Sequence, residues 1–291
     1  MKIGFIGQGW IGRHFADDFE NRGYETVRYS LEAPYDVNKD KISECDIVLI
    51  AVPTPTTPEG FDVSIVRSVL SLIGKGKIAV IKSTIPPGTT EMLQNEFSNI
   101  YVFHSPEFLV EKTAAHDAAH PNRNIIGIPR HSEEFFERAR LVLSVLPTAP
   151  YQSIMNARDA EFVKYAGNCF LFTKVIYMNL LYDLVAQMGG DWAHIKDALI
   201  HDPRIGTSHT EPVFDNGRGA GGHCLIKDFE AFRNMYDAYM QDATGSDLMK
   251  TMVYKNIQLL VDTNKDVDLL SGVYGNLNKH RVWKNVHDVE L

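Results

Sequence analysis

The first twelve residues restrict the fold more than any other stretch of this chain. Lys2-Ile3-Gly4-Phe5-Ile6 is a short apolar run that passes straight into Gly7-Gln8-Gly9-Trp10-Ile11-Gly12. An amphipathic stretch through Phe15, Phe19 and Asn21 follows and stops at Gly23. Strand, glycine turn and helix in that order form the setting in which a G-x-G-x-x-G run meets a pyrophosphate. The first glycine makes the turn, the second lets the backbone approach the phosphates, and the third lets the helix lie close on the strand with its N-terminus facing negative charge. A second strand, Glu25–Tyr29, supports dinucleotide binding over the plain alternative of a structural turn.

The acidic residue that normally receives the adenosine ribose at the end of the second strand is missing. Ser30 stands there, with Glu32 two residues on and Arg28 two residues before. NAD is the expected cofactor, and NADP stays open because Ser30 beside Arg28 leaves room for a 2′-phosphate.

Further apolar runs follow the same plan. Residues 46–52 end in Pro53-Thr54-Pro55-Thr56-Thr57-Pro58, a helix is expected over about 62–73, and residues 77–81 end in Ser83-Thr84-Ile85-Pro86-Pro87-Gly88. Strands around 101–103 and at 124–128 flank Ser105-Pro106-Glu107-Phe108-Leu109-Val110-Glu111. Continuous apolar runs suit strands buried on both faces of a parallel sheet, and ligands collect at their C-terminal ends, where Thr54 and Thr56 lie. The expected architecture is α/β: an N-terminal Rossmann-type doubly wound domain over residues 1–150.

From Ala157 the period becomes helical and holds through Phe162, Tyr165, Cys169, Ile176 and Leu184 to Gly189-Gly190. One long central helix therefore opens an all-helical domain over residues 151–262, with further helices at 191–200, 227–239 and 246–261. Lys164 and Asn168, four residues apart, share a helix face and can point into one cleft, or be a solvated Lys and a capped Asn. The tail, 263–291, has weak periodicity and carries no assignable role.

Inside the helical domain, Gly217-Arg218-Gly219-Ala220-Gly221-Gly222-His223-Cys224 is followed by Lys227 and Asp228. A thiol after glycines, with an amine and a carboxylate three and four residues on, is the layout of an activated cysteine, or simply of a tight turn. The net charge of −8 argues against a nucleic-acid partner. The three cysteines lack CxxC spacing, which excludes a disulfide framework or structural zinc and favours a reducing, cytoplasmic setting. No metal site is expected. The chain opens directly on a strand, so no signal peptide is expected, and no apolar run approaches membrane-spanning length.

Taken in order, GQGWIG, the PTPT loop, KSTIPPGTT, SPEFLVEKTA, AEFVKYAGNCFLFTK, DPRIG and GRGAGGHCLIKD resemble the nucleotide-sugar dehydrogenase family, which includes the UDP-glucose and GDP-mannose 6-dehydrogenases. The resemblance implies oxidation of a sugar C6 alcohol to a carboxylate with two NAD, most readily UDP-glucose to UDP-glucuronate. It makes Cys224 the nucleophile that forms a thiohemiacetal and then a thioester. Lys164 would stabilise oxyanions, Asn168 hold the C6 oxygen, and Asp228 help activate water, while Thr84 and Glu107 position that water or act as a base. Gly7, Gly9, Trp10, Ile11, Gly12, Ser30, Thr56, Ser83 and Glu111 map to cofactor contacts. Phe108, Leu109, Lys164, Asn168, Arg204, Gly221 and Lys227 map to the substrate, Arg204 across a homodimer interface built by the helical domain.

This sequence departs from the family pattern at Ser30 (usually Asp), Lys112 (commonly Gly) and His223 (usually Ser). The family continues into a third domain, which the roughly 30 residues after Asn264 are too few to form. Two other readings stand beside the leading one. A two-electron β-hydroxyacid-type dehydrogenase would need the helix Lys and Asn but no thiol. A truncated, non-catalytic dinucleotide-binding or assembly partner would need neither.

Overall fold

In the computed structural model the structure describes residues 1–277. The described residues form two compact units, Met1–Thr54 with Asp62–Lys164, and Pro55–Phe61 with the residues from Tyr165 to 277.

The first unit contains β1 (Lys2–Ile6), α1 (Trp10–Asn21), β2 (Glu25–Tyr29) and β3 (Ile47–Ile50). The chain then visits the second unit as a small hairpin, β4 (Thr56–Thr57) and β5 (Gly60–Phe61). It returns through α2 (Ser64–Leu70), β6 (Ile78–Ile81), α3 (Thr89–Glu96), β7 (Tyr101–His104), α4 (Ala114–Ala119), β8 (Arg123–Ile128), α5 (Glu133–Val145) and β9 (Tyr151–Asn156). The seven-stranded sheet has the order β2-β1-β3-β6-β7-β8-β9. Its pairs are parallel except β7 with β8, so β8 and β9 run against the rest. Every residue of β3 and β6 is buried, as their continuous apolar runs require. Phe5, Phe19, Phe103 and Phe135 fill the core beside them.

The N-terminal domain was expected to end at 150, yet β9 continues the sheet and the unit closes only at Lys164. The strand escaped notice because it reads as mixed Tyr-Gln-Ser-Ile-Met-Asn and is half exposed, as an edge strand can be. The helix α6 (Ala157–Gln187) starts directly behind it. Its first turns seat on the sheet at Gly127, where any Cβ would press on the Cα of Ala157 and the Cβ of Ala160 at 2.8 Å.

The remainder of α6 enters the second unit, with α7 (Trp192–Ile200), the hairpin β10 (Val213–Phe214) and β11 (Gly217–Arg218), α8 (Gly222–Tyr239), α9 (Ala243–Asp262) and α10 (Val267–Tyr274). Tyr165, Phe172, Ile176, Phe229, Val253, Leu260 and Leu270 share its core. Phe172 stacks on Phe229 with ring centroids 3.9 Å apart. Two expectations are corrected here. The helix expected from 227 begins at Gly222, so Cys224 lies within it, and the stretch after 263, read as weakly periodic with no assignable role, contains α10, which packs on α8 and α9. The end of that tail lies outside the described residues.

The expectation that nothing approaches membrane-spanning length also fails. By length and composition α6 could cross a bilayer, with a mean hydropathy of 1.4 over 18 residues, a third of them buried. Its apolarity has two sources within this fold. One face carries Tyr165, Cys169, Phe172 and Ile176 into the core, and another presents Phe170, Tyr177, Leu180 and Leu184 outward.

Glu161 ties α6 to the rest of the first unit. Its buried carboxylate accepts hydrogen bonds from the Gly88 amide (2.5 Å), the Thr90 amide (2.8 Å) and the Thr90 hydroxyl (2.6 Å), capping the start of α3. Burial outweighs these bonds and pushes the carboxyl up to about 7. A carboxyl raised in the fold binds its proton more tightly there than in the unfolded chain. Its contribution is complete below its ordinary pKa and lost as pH rises through about 7. Urea unfolding at pH 5 and pH 8 should therefore show wild type losing up to about 3 kcal/mol more than Glu161→Gln over that interval. Parallel pH dependences in the two proteins would refute the assignment.

Candidate active site

The predicted residues fall into a cofactor edge and two catalytic groups, one in each unit. The cofactor edge follows from the glycines. Gly7 has a φ of +91°, and a Cβ there would collide with the Ala51 carbonyl. A Cβ on Gly12 would collide with the Gly7 carbonyl, which is how α1 comes to lie on β1. Gly9 differs: nothing lies within 4 Å of the position its Cβ would take, and it starts α1 without any side-chain cap. No acidic residue occupies the first turn, where Trp10 and Ile11 stand. The result is an uncapped helix N-terminus beside open space, a cradle suited to a pyrophosphate.

At the end of β2, Ser30 donates to the Glu32 carbonyl at 3.0 Å. Arg28 is already committed, with its guanidinium forked onto Glu20 at 2.8 and 2.5 Å and paired with Asp17 at 2.7 Å. A 2′-phosphate would approach an Arg28 already engaged by two carboxylates, which favours NAD. Ser83 donates to the Val52 carbonyl at 2.7 Å. Glu111 is exposed at the head of a 3₁₀ turn. Thr56 is buried in the hairpin that belongs to the second unit.

In the first unit, register places the ends of β6 and β7 side by side, Ile81 opposite His104. Thr84 and Glu107, both buried, follow these strands. Lys164, reaching in from α6, donates to the Glu107 carboxylate and to the Glu107 carbonyl, each at 2.8 Å. The other carboxylate oxygen accepts from the Leu109 amide at 2.9 Å. The pair is almost solvent-free, with side-chain exposures of 8% and 4%. Phe108 beside it lies beneath the Arg123 guanidinium at 3.6 Å.

In the second unit, Asn168 donates to Asp228 at 2.5 Å and Lys227 donates to the other oxygen of the same carboxylate at 2.5 Å. Cys224 sits in the first turn of α8, one turn before Asp228. The other cysteines are poor nucleophiles. Burial pushes the Cys45 thiol up to about 11 and raises that of Cys169 further. Cys224 alone is half-buried. His223 next to it is exposed, as is Arg204, whose guanidinium is forked onto Asp202 at 3.0 and 2.6 Å. Among the described residues no group of three His, Cys, Asp or Glu side chains could hold a metal.

Two residues that sequence reasoning missed hold the cysteine segment. Asn256, fully buried on α9, accepts from the Ala220 amide at 2.7 Å and donates to the Ala220 carbonyl at 3.0 Å. Asp266 accepts from the Gly222 amide at 2.8 Å, and its carboxylate occupies the space that a Cβ on Gly221 would need. An Asn in an otherwise apolar helix face at 249, 253, 257 and 260 was a readable signal for the first. Lys174 was missed too, and it gathers the carbonyls of Ile205 (2.8 Å) and Ser208 (2.6 Å) around the Arg204 turn.

Residues 22–143 match the NAD binding domain of the UDP-glucose/GDP-mannose dehydrogenase family, and residues 158–257 match its central domain. The chain belongs to that family. Its cofactor is NAD. Among curated relatives of this UDP-glucose/GDP-mannose dehydrogenase family chain, a UDP-glucose 6-dehydrogenase of Pseudomonas aeruginosa is 33% identical over 240 residues, covering 76% of this chain and 51% of the relative. One of Rickettsia conorii is 28% identical over 255 residues, covering 83% and 55%. The chain thus spans about half the length of the curated relatives it matches. A UDP-glucose dehydrogenase structure from Pyrobaculum islandicum superposes with a TM-score of 0.75 at 25% identity, covering 90% of this chain and 70% of that one. The 3-hydroxyisobutyrate dehydrogenase of Mycobacterium tuberculosis shares the fold, with a TM-score of 0.70 at 17% identity over 94% of this chain and 97% of that one.

The second and third glycines of the cradle should separate on substitution. Gly12→Ala forces α1 off β1 and should cost about 2–3 kcal/mol of stability. Gly9→Ala should leave the unfolding midpoint within about 0.5 kcal/mol of wild type, since it meets no neighbour and the residue lies at an ordinary φ of −63°, while weakening NADH binding at least about tenfold. NADH fluorescence titration beside a urea melt checks both.

Proposed function

We propose that this chain carries out the NAD-dependent oxidation of a nucleotide sugar at C6, from alcohol to carboxylate, with UDP-glucose as the first substrate to test. The observation that carries the reading is the contrast among the cysteines: two are buried and hard to ionise, while Cys224 stands at a helix N-terminus behind glycines. Bound NAD supplies the hydride acceptor, two being consumed per sugar.

The alcohol loses a proton and a hydride to give the aldehyde. The Cys224 thiolate adds to that carbon, and loss of a second hydride from the adduct leaves a thioester. Water then attacks the acyl carbon, releasing the carboxylate and restoring the thiol. Lys164 stabilises the oxygen that bears charge in each adduct, as an ammonium already desolvated and aimed by Glu107 can do. Asn168, anchored on Asp228, donates to the C6 oxygen, and Asp228 with Thr84 and Glu107 orients the hydrolytic water. Phe108, Leu109, Gly221, Lys227 and Arg204 contact the nucleotide sugar in this reading. A cytoplasmic location suits NAD chemistry and three cysteines that form no disulfide.

The outward seam of α6 supports a homodimer. Phe170 (65% exposed), Tyr177 (59%), Leu180 (49%) and Leu184 (56%) recur at heptad spacing. In light scattering the wild-type mass should be twice that of Tyr177→Glu/Leu180→Glu. Equal masses for the two proteins would remove the dimer from this reading.

A two-electron reading draws on the fold match to 3-hydroxyisobutyrate dehydrogenase, which covers both chains almost end to end. NADH counted per sugar consumed, over a panel of UDP- and GDP-sugars, separates the two. Two NADH per sugar are expected, with Cys224→Ala lowering the rate by a factor of about 1,000 or more. One NADH per turnover, or an active Cys224→Ala, would establish the two-electron chemistry. NADH binding with no turnover of any sugar would favour a non-catalytic binding protein.

A further inference from the structure

Beneath the Glu107–Lys164 pair lies a second lysine for which the mechanism has no use. Lys82 ends β6, and its side chain is wholly enclosed within the first unit. Its Nζ donates to the Ser105 hydroxyl at 2.9 Å and lies 4.7 Å from the centre of the Phe15 ring. Among the described residues no carboxylate is within ion-pair distance of it. A methionine would fill this position without the cost of removing an amine from water. Burial, with the charge of Lys164 added, brings Lys82 down to about 8 against the opposing pull of Glu107. The groups facing it are Ser105 and His104 at the end of β7, Glu107 beyond them, Lys164 from α6 and Phe15 from α1. His104 is neutral, held at about 3 by burial and by the Lys82 charge.

Ser105 makes the connection to the site. Its amide donates to the Ile81 carbonyl at 2.9 Å, extending the β6–β7 pairing by one residue. Its hydroxyl is the acceptor for Lys82, and Glu107 follows two residues later. The segment from Ser105 to Leu109 is therefore fixed at one end by Lys82 and at the other by the Leu109 amide on the Glu107 carboxylate.

We propose that Lys82 is a positioning residue: its amine, anchored on the Ser105 hydroxyl, holds the Ser105–Leu109 segment so that Glu107 meets Lys164. The effect on turnover rests on the dehydrogenase reading above, whereas the effect on the segment does not. A lysine kept only for packing would lose stability on replacement. A positioning lysine should gain or keep stability and lose precision at Glu107.

The experiment compares Lys82→Met and Ser105→Ala with wild type in three measurements. Hydrogen exchange at the Leu109 amide should accelerate at least about tenfold in both variants, with the unfolding midpoint of Lys82→Met equal to or above that of wild type. NADH production should fall mainly in kcat rather than KM, and any alkaline limb near pH 8 in the wild-type profile should be absent from Lys82→Met. Unchanged exchange at Leu109 in both variants would overturn the proposal whatever the activity. A lower midpoint for Lys82→Met with unaltered kcat would reduce Lys82 to a packing residue. Faster exchange in the variants, with a wild type that oxidises no sugar, would sustain the positioning role and remove the dehydrogenase reading. If Lys82→Met does not fold, Ser105→Ala alone decides through Leu109.

Discussion

An ion pair almost free of solvent, Glu107 with Lys164, is the constraint around which the first unit is built. Taking two charges out of water costs several kcal/mol each unless their remaining hydrogen-bonding positions are filled. Here they are filled by the segment itself. Lys164 also reaches the Glu107 carbonyl, and the second carboxylate oxygen takes the Leu109 amide. That arrangement requires α6 to lie close to the sheet, which Gly127 allows by having no side chain, and to stay in register, which the Glu161 cap on α3 ensures. A helix pushed outward by a side chain at position 127 would lengthen both bonds from Lys164 to Glu107.

The second unit meets a different demand, to present a thiol at the start of a helix without disorder in the glycines before it. Glycines there carry a high entropic cost on folding, so the segment needs external restraint. Asn256 satisfies both the amide and the carbonyl of Ala220, and Asp266 takes the Gly222 amide. Neither residue is near Cys224 in sequence. Both come from α9 and the turn after it, which explains why a helix pattern and a short tail that look like scaffolding are tied to the segment where the chemistry is expected.

What was legible in the sequence was whatever depends on local pattern. The glycine spacing at 7, 9 and 12, the continuous apolar strands and the 31-residue helix each follow from a period or a turn. The strand β9 and the helix α10 were not legible because their identity comes from what they pack on: one completes a sheet edge with half-exposed residues, the other covers α8. The start of α8 was placed five residues late, since Gly221-Gly222 reads as a break while the fold uses it as a cap. Lys82 was overlooked for a related reason. A lysine closing an apolar strand looks like the point where the strand meets water, and only the neighbouring strand's Ser105 reveals that it does not.

Fold alone cannot choose between two-electron and four-electron chemistry, since the match to 3-hydroxyisobutyrate dehydrogenase runs nearly end to end at 17% identity. Lys164 and Asn168 on one helix would suit either proposed reaction. What only the four-electron reaction needs is a reactive thiol, and the structural investment around it is specific. A Cβ on Gly219, which has a φ of +92°, would come within 3.2 Å of Asn256 and Leu259, and Gly221 leaves no room for a side chain beside Asp266. A loop that merely joined two helices could have been built from ordinary turn residues with fewer buried polar contacts. A segment that is glycine-rich, clamped at both ends and terminates in the least buried of three thiols favours chemistry at Cys224.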